Sequence, residues 1–255
     1  MQVVTTLAWN TVRELIRSKL LYNVVVFAAL LIGSSMFVAQ LTIGQWDRII
    51  LDQGLVALEI GGGLIAVLVG VNLIAGEVER RTIFPTLAKP VSRGAFVLGR
   101  YLGLVLVLLA NVGLLLALLA VMLKLAGSGL NATVLAAVLL IAVELALLAA
   151  VAVLFSSFST PILAAGFSLS FFLIGHLLSD LKAFSSRSDS ELTRTVTVFF
   201  YRLLPDLELL NLKSRAANEL PVEARFVFTS AAYGLCYAAV ILALGVLIFR
   251  KRDLK

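Results

Sequence analysis

Charge is what this sequence has least of. Asp, Glu, Lys and Arg make up 14% of its 255 residues, against about 25% in a typical soluble domain. Cysteine is nearly absent: Cys236 is the only one, so no intramolecular disulfide can form. The single histidine, His176, excludes a His-Glu-x-x-His metal site, and the Gly-x-Ser-x-Gly elbow of a serine hydrolase does not occur. These absences weigh against an intramembrane hydrolase. Alternation is missing too: no segments of about ten residues switch regularly between apolar and polar, as a membrane barrel requires.

What is present is apolar length. Hydrophobic residues reach 61%, and several stretches exceed the roughly 18 uncharged residues that cross a hydrocarbon core of about 30 Å. The chain reads as an all-α, polytopic membrane protein forming one domain over residues 1–255. Residues 2–18 spell an amphipathic helix lying in the interface. Val3, Val4, Leu7, Ala8, Val12, Leu15 and Ile16 share one face, Asn10, Arg13, Glu14 and Arg17 the other, and Trp9 sits at headgroup depth. "LYNVVVFAALLIGSSMFVAQL" follows as the first span. It is too long for a signal peptide and no convincing Ala-x-Ala site follows, so it reads as an uncleaved anchor. Five more spans fall at about 54–75, 101–126, 132–156, 161–179 and 227–249. Thr160 before Pro161 reads as the start of span five, and Asn131 as the N-cap of span four rather than a glycosylation site.

Six spans return the chain to its starting side. With the N-terminus inside, the cytoplasmic segments hold twelve basic and four acidic residues, and the outer segments nine of each. That asymmetry is the positive-inside rule, so the net charge of +6 reflects topology and not a nucleic-acid partner. The long outer segment, 180–225, reads as two short amphipathic helices broken at Pro205 and resting on or dipping into the outer membrane surface. Phe199, Phe200, Leu203, Leu204 and Leu207 supply an apolar face, making these residues and Pro205 candidates for an outer gate; a passive anchor is the other reading.

Between spans two and three lies "GEVERRTIFPTLAKPVSRGAFVLGRYLG". Pro85 and Pro90 interrupt the helix twice, and Ser92 can cap a new one. The spacing predicts a short transverse element over 77–100, braced at both ends by spans and surrounded by charge. The pattern Glu-x-Glu-Arg-Arg-Thr-Ile-x-x-x-Leu-Ala-Lys-Pro-Val-Ser-Arg-x-x-Phe-x-x-Gly-Arg resembles the coupling-helix segment of ABC-2-type exporter permeases. The resemblance is nearest to the branch that includes the membrane subunit serving nitrous oxide reductase maturation. Its positions here are Glu77, Glu79, Arg80, Arg81, Thr82, Ile83, Leu87, Lys89, Pro90, Val91, Ser92, Arg93, Phe96, Gly99 and Arg100.

The resemblance implies an exporter permease, with the residues from Glu77 to Arg93 docking an ATPase. It further implies a homodimer of this chain, two copies of a separate ABC ATPase subunit, and a bacterial or archaeal cytoplasmic (inner) membrane with both termini cytoplasmic. The chain carries no Gly-x-x-x-x-Gly-Lys-Ser/Thr loop, so ATP and Mg would bind on the partner and this subunit is not itself an enzyme. The alternative is a non-transporting, mechanical subunit that drives an extracytoplasmic partner protein. A secondary transporter or channel finds less support, since no internal repeat occurs.

Polar residues inside the spans are expensive and mark pathways or paired contacts. Glu59, Asn72, Asn111, Glu144 and His176 are the pathway candidates. Glu59, near the outer end of span two, reads as a solvated, snorkelling carboxylate. Glu144, near mid-span, leaves pathway and packing equally open. His176 reads as a hydrogen-bonded histidine rather than a metal ligand, and no metal is expected. Gly61–Gly63 reads as a site of close helix packing, in the dimer or around the pathway.

Overall fold

The computed structural model of the protein describes residues 2–40, 46–79, 92–185 and 204–252. All regular elements among them are helical. They run α1 (Gln2–Ile16), α2 (Lys19–Gln40), α3 (Trp46–Val71), α4 (Arg93–Leu125), α5 (Ala132–Ser156), α6 (Pro161–Ser185), α7 (Lys213–Ala217) and α8 (Ala224–Lys251). α3 continues through a π-helical turn at Asn72–Gly76 into a last α turn at Glu77–Glu79. A 3-10 turn at Leu207–Leu210 precedes α7. Six of the described helices are long and apolar enough to cross a membrane.

Two spans form the centre. α3 with its extension, and α5, are each 78% buried over their spanning windows, against 28–39% for the other four. α5 is apolar on every side, with no polar stripe to face lipid headgroups or water, which is the pattern of an enclosed helix. α3 packs on α2, α4 and α5; α5 packs most extensively on α8 and also on α6. The Gly61–Gly63 run sets how near α3 can come. A methyl on Gly61 would stand 2.8 Å from the Ala28 Cβ of α2, and one on Gly62 would collide with Leu145 of α5. One on Gly63 would meet Leu148 of α5 and Phe172 of α6 at 3.7 and 4.0 Å. Gly61 and Gly62 therefore admit α2 and α5 at close range, while Gly63 faces α5 and α6 at ordinary contact distance, all within one chain.

Gly62→Val should lower the thermal midpoint of the purified protein in detergent, by the equivalent of about 1–3 kcal/mol for an overpacked interior. Gly33→Ala on α2 is the control, because nothing lies within 4 Å of its added methyl. Equal midpoints for the two variants would remove the close-approach account.

The helix starts follow local chemistry. The Ser92 side chain accepts from the Ala95 N–H and opens α4; Asn131 accepts from the Val134 N–H and opens α5. Pro161 is the first residue of α6. Two boundaries depart from the sequence reading. Span two starts at Trp46 rather than about residue 54, because a helix need not stop where polar residues such as Asp47, Arg48 and Asp52 emerge from the apolar run. After Pro205 the outer segment is not an amphipathic helix lying on a surface. Its 3-10 turn and α7 are tucked against α6, α5, α8 and α3, with Leu207, Leu210, Leu212, Ala216 and Ala217 buried. The portion before Pro205 that carries Phe199, Phe200 and Leu203 lies outside the described residues.

Candidate functional site

Both ends of the segment 77–100 are held by arginines. α4 places Arg93, Phe96 and Arg100 at intervals of three and four residues, so they share one face. Arg93 Nη1 donates to the backbone carbonyls of Arg250 (3.1 Å) and Arg252 (2.7 Å) at the end of α8. Those carbonyls have no partner within their own helix, and a cation there also suits the helix dipole. Arg252 in turn donates to the carbonyls of Ser156 (3.0 Å) and Ser157 (3.2 Å) at the end of α5. Phe96 is fully buried and stacks on Phe249 of α8, with ring centroids 6.1 Å apart.

Arg100 joins three elements. Its Nη1 donates to Glu14 Oε2 at 2.5 Å and to Thr11 Oγ1 at 3.3 Å, both on α1, and its Nη2 pairs with Glu77 at the end of span two. α1 reaches this position because Gly99 and Gly103 leave a groove on α4. A methyl on Gly99 would stand 2.6 Å from Leu7 Cβ, and one on Gly103 2.7 Å from the Ala8 carbonyl oxygen. The Gly-x-x-x-Gly spacing in "GRYLG" is the sequence signal for this contact. α1 accordingly buries Ala8, Thr11, Val12 and Leu15 against the bundle and leaves Val3, Trp9 and Ile16 exposed. Glu79 and Ser92 are exposed at the two edges of the segment. Arg80, Arg81, Thr82, Ile83, Leu87, Lys89 and Pro90 lie outside the described residues.

A second polar constellation sits nearer the opposite end of the bundle. Glu59 on α3, Glu144 on α5 and His176 on α6 converge, joined by Lys213 of α7. Lys213 Nζ pairs with Glu59 Oε2. His176 Nε2 lies 2.8 Å from Glu59 Oε1 and 3.3 Å from Glu144 Oε1. Its other ring nitrogen, Nδ1, is 3.1 Å from the Phe172 carbonyl oxygen; a carbonyl can only accept, so Nδ1 carries a proton. Glu144 is 1% exposed and Glu59 3%. The expectation of a solvated Glu59 is thus overturned: Gly62, one turn along α3, lets Leu145 of α5 come close, and α5 and α6 together seal this face of the helix. Two buried carboxylates without cations would cost several kcal/mol each, which is why Lys213, far away in sequence, is drawn in.

The remaining pathway candidates are elsewhere. Asn72 is exposed and donates to the Leu68 carbonyl of its own helix at 2.6 Å, within the start of the π turn. Asn111 on α4 is 6% exposed, and neither atom of its amide makes a hydrogen bond among the described residues. Leu207 is buried, and a methyl on Gly175 of α6 would stand 2.6 Å from its side chain; one on Gly234 of α8 would stand 2.6 Å from Val143 and 3.3 Å from Leu210. Pro205 is followed by Asp206, whose N–H donates to Tyr233 Oη at 3.0 Å and whose Oδ1 accepts from the Glu208 N–H at 3.1 Å. These bonds fix the turn that inserts Leu207. Lys213 and the Arg252 cap are functional contacts that the sequence did not disclose. Neither has a local signal, since each depends on a partner about a hundred residues away or more.

A family model described as "ABC-2 family transporter protein" matches residues 5–254 of the chain. No curated protein matches it.

Proposed function

The chain belongs to the ABC-2 transporter family, and from that premise we propose that it is the permease subunit of an ATP-driven exporter. Membrane subunits of this family generally pair with an ATPase subunit. In this reading two copies of the chain form a homodimer in a prokaryotic cytoplasmic membrane, with both termini inside, and two ATPase subunits dock on residues 77–93. ATP and Mg stay on the partner; this subunit moves rather than catalyses. Within the family, the order of residues from Glu77 to Arg100 favours the branch that serves nitrous oxide reductase maturation.

One observation carries the proposal. The segment expected to receive the ATPase is clamped at both edges to the transmembrane bundle, through Glu77 and Arg100 to α1 and α4, and through Arg93 to α8. A push on residues 80–91 would therefore reach four helices through ion pairs and buried aromatic contacts rather than dissipate in a loose loop. The α1 helix, seated in the Gly99–Gly103 groove, moves with them. Reversing charge at Glu79, Arg80 and Arg81 together should release the ATPase or abolish its stimulated turnover while leaving insertion in the membrane intact. Association and hydrolysis at wild-type levels in that variant would end the coupling reading.

The mechanical alternative gains support from the opposite end. The segment Leu207–Ala217 is wedged among α5, α6 and α8, so a movement of the spans would be passed to whatever that segment holds outside. Export of a substrate by the reconstituted complex favours the first reading; ATP-dependent displacement of an outer protein without flux favours the second.

A further inference from the structure

We propose that Glu59 Oε1, Glu144 Oε1 and His176 Nε2 are the ligands of one divalent first-row metal ion of the zinc class, with Lys213 as the internal cation that it replaces. The inference goes beyond the exporter reading, because it concerns equilibrium binding to this chain alone.

The donor set comes first. One imidazole nitrogen and two carboxylate oxygens suit zinc and its neighbours, whereas calcium takes six to eight oxygens. Metal–ligand bonds of about 2.1 Å place tetrahedral donors about 3.4 Å apart. Here the nitrogen lies 2.8 and 3.3 Å from the two oxygens, and all three atoms fall within 4.8 Å of one another. Small side-chain rotations would equalise these separations.

Orientation comes second. A ligating histidine usually donates its far ring N–H to a carbonyl or carboxylate, which fixes the tautomer and turns the other nitrogen to the metal. His176 does this through Nδ1 and Phe172. Nε2 faces both carboxylates, at 2.8 Å from Glu59 Oε1 and 3.3 Å from Glu144 Oε1, and Glu144, 1% exposed, has no other partner for that oxygen among the described residues. Deprotonated, Nε2 would turn a lone pair on two carboxylate oxygens, a repulsion that a cation between them removes; protonated, it pairs with both carboxylates, and the metal takes the place of that proton.

Charge comes third. Two carboxylates and Lys213 sum to minus one when the imidazole is neutral. A dication entering as the ammonium leaves makes the constellation neutral. Lys213 is placed to leave, since it projects from the one-and-a-half-turn helix α7 and its side chain keeps 16% exposure. Beside it, Ser214, Ala217 and Asn218 line a cleft of about 350 Å³ against Arg48, Asp52 and Gln53 of α3. Asp52 lies two turns from Glu59 on the same face of α3.

The test uses the purified full chain in detergent, stripped of metal and titrated with Co²⁺ and then Zn²⁺. The expected result is one Co²⁺ per chain with visible d–d absorption, bleached by Zn²⁺. Glu144→Gln and His176→Gln should each weaken binding tenfold or more, and Lys213→Gln should tighten it tenfold or more by removing the competitor. Glu219→Gln, an exposed carboxylate away from the constellation, should bind as wild type. Size-exclusion profiles identify any variant that fails to fold, and Lys213→Gln keeps the question open to an answer if both ligand variants do. No d–d absorption in the wild type overturns the proposal, as does unchanged affinity in folded Glu144→Gln or His176→Gln. Unchanged or weaker binding in Lys213→Gln removes the exchange. Loss of ATPase coupling would leave all of these readouts standing.

Discussion

Arg100→Met should be the most damaging single change at the end of the bundle that carries the termini. Arg100 and Glu77 are both only 12% exposed at their side chains, and removing one member of a buried pair typically costs about 3–5 kcal/mol, because the other charge loses its close counter-ion. Loss of the guanidinium also removes a partner from Glu14 and from Thr11, so α1 loses its two described polar ties to α4. The measurement is the thermal midpoint in detergent, together with protease sensitivity of α1. Arg100→Met combined with Glu77→Gln should recover most of the loss, since replacing both partners removes the uncompensated charge. If the double variant is as unstable as the single one, Arg100 acts through its packing over the Phe96 ring and the pairing argument fails. In the assembled transporter the single variant should also lose stimulated ATP turnover, because the segment between Glu79 and Ser92 would be released at one edge.

Leu207→Gln should give the largest effect at the other end. Leu207 is buried to 1% exposure and presses on Gly175. Truncating such a leucine costs about 2–5 kcal/mol, and an amide there adds an unsatisfied polar group. If the wedge seals the outer end of the pathway, the variant should assemble but show raised basal ATP turnover or no export, and Leu203→Gln should add to the effect. If Leu207→Gln assembles normally and exports at the wild-type rate, the segment is a passive anchor.

The spans were legible because membrane insertion demands length and apolarity, and both are local properties of the chain. Helix starts were legible at Ser92, Asn131 and Pro161 for the same reason: an N-cap or a first-turn proline acts on residues three or four away. The packing order was less so. That α3 and α5 are central could be inferred from the lack of any polar stripe on α5, yet α4 is almost as apolar and lies outside them. The candidate site was legible only as a set of costly residues. Glu59, Glu144 and His176 each stood out in an apolar run, but their meeting depends on the close packing at Gly62 and on a lysine 154 positions beyond Glu59. Asn72 and Asn111 stood out equally and lie elsewhere. The residue pattern from Glu77 to Arg100 was legible through its order, and the described half of it turns out to brace the bundle: Arg93, Phe96, Gly99 and Arg100 each hold a different contact inside the chain.

The π-helical turn at Asn72–Gly76 decides which way Glu77 points. Glu59 and Glu77 are eighteen positions apart, five full turns of an unbroken α-helix, so without that turn Glu77 would look toward the same neighbours as Glu59. A π turn accommodates one surplus residue, which sets everything beyond it back by about 100° around the axis. Span two is in this sense a shaft with its two ends keyed to different phases, one carboxylate addressed to α5 and α6 and the other to Arg100. Regularising the turn into α-helix at unchanged length would turn Glu77 by about 100° out of its socket, whereas deleting the one surplus residue from Asn72–Gly76 would leave its phase as it is.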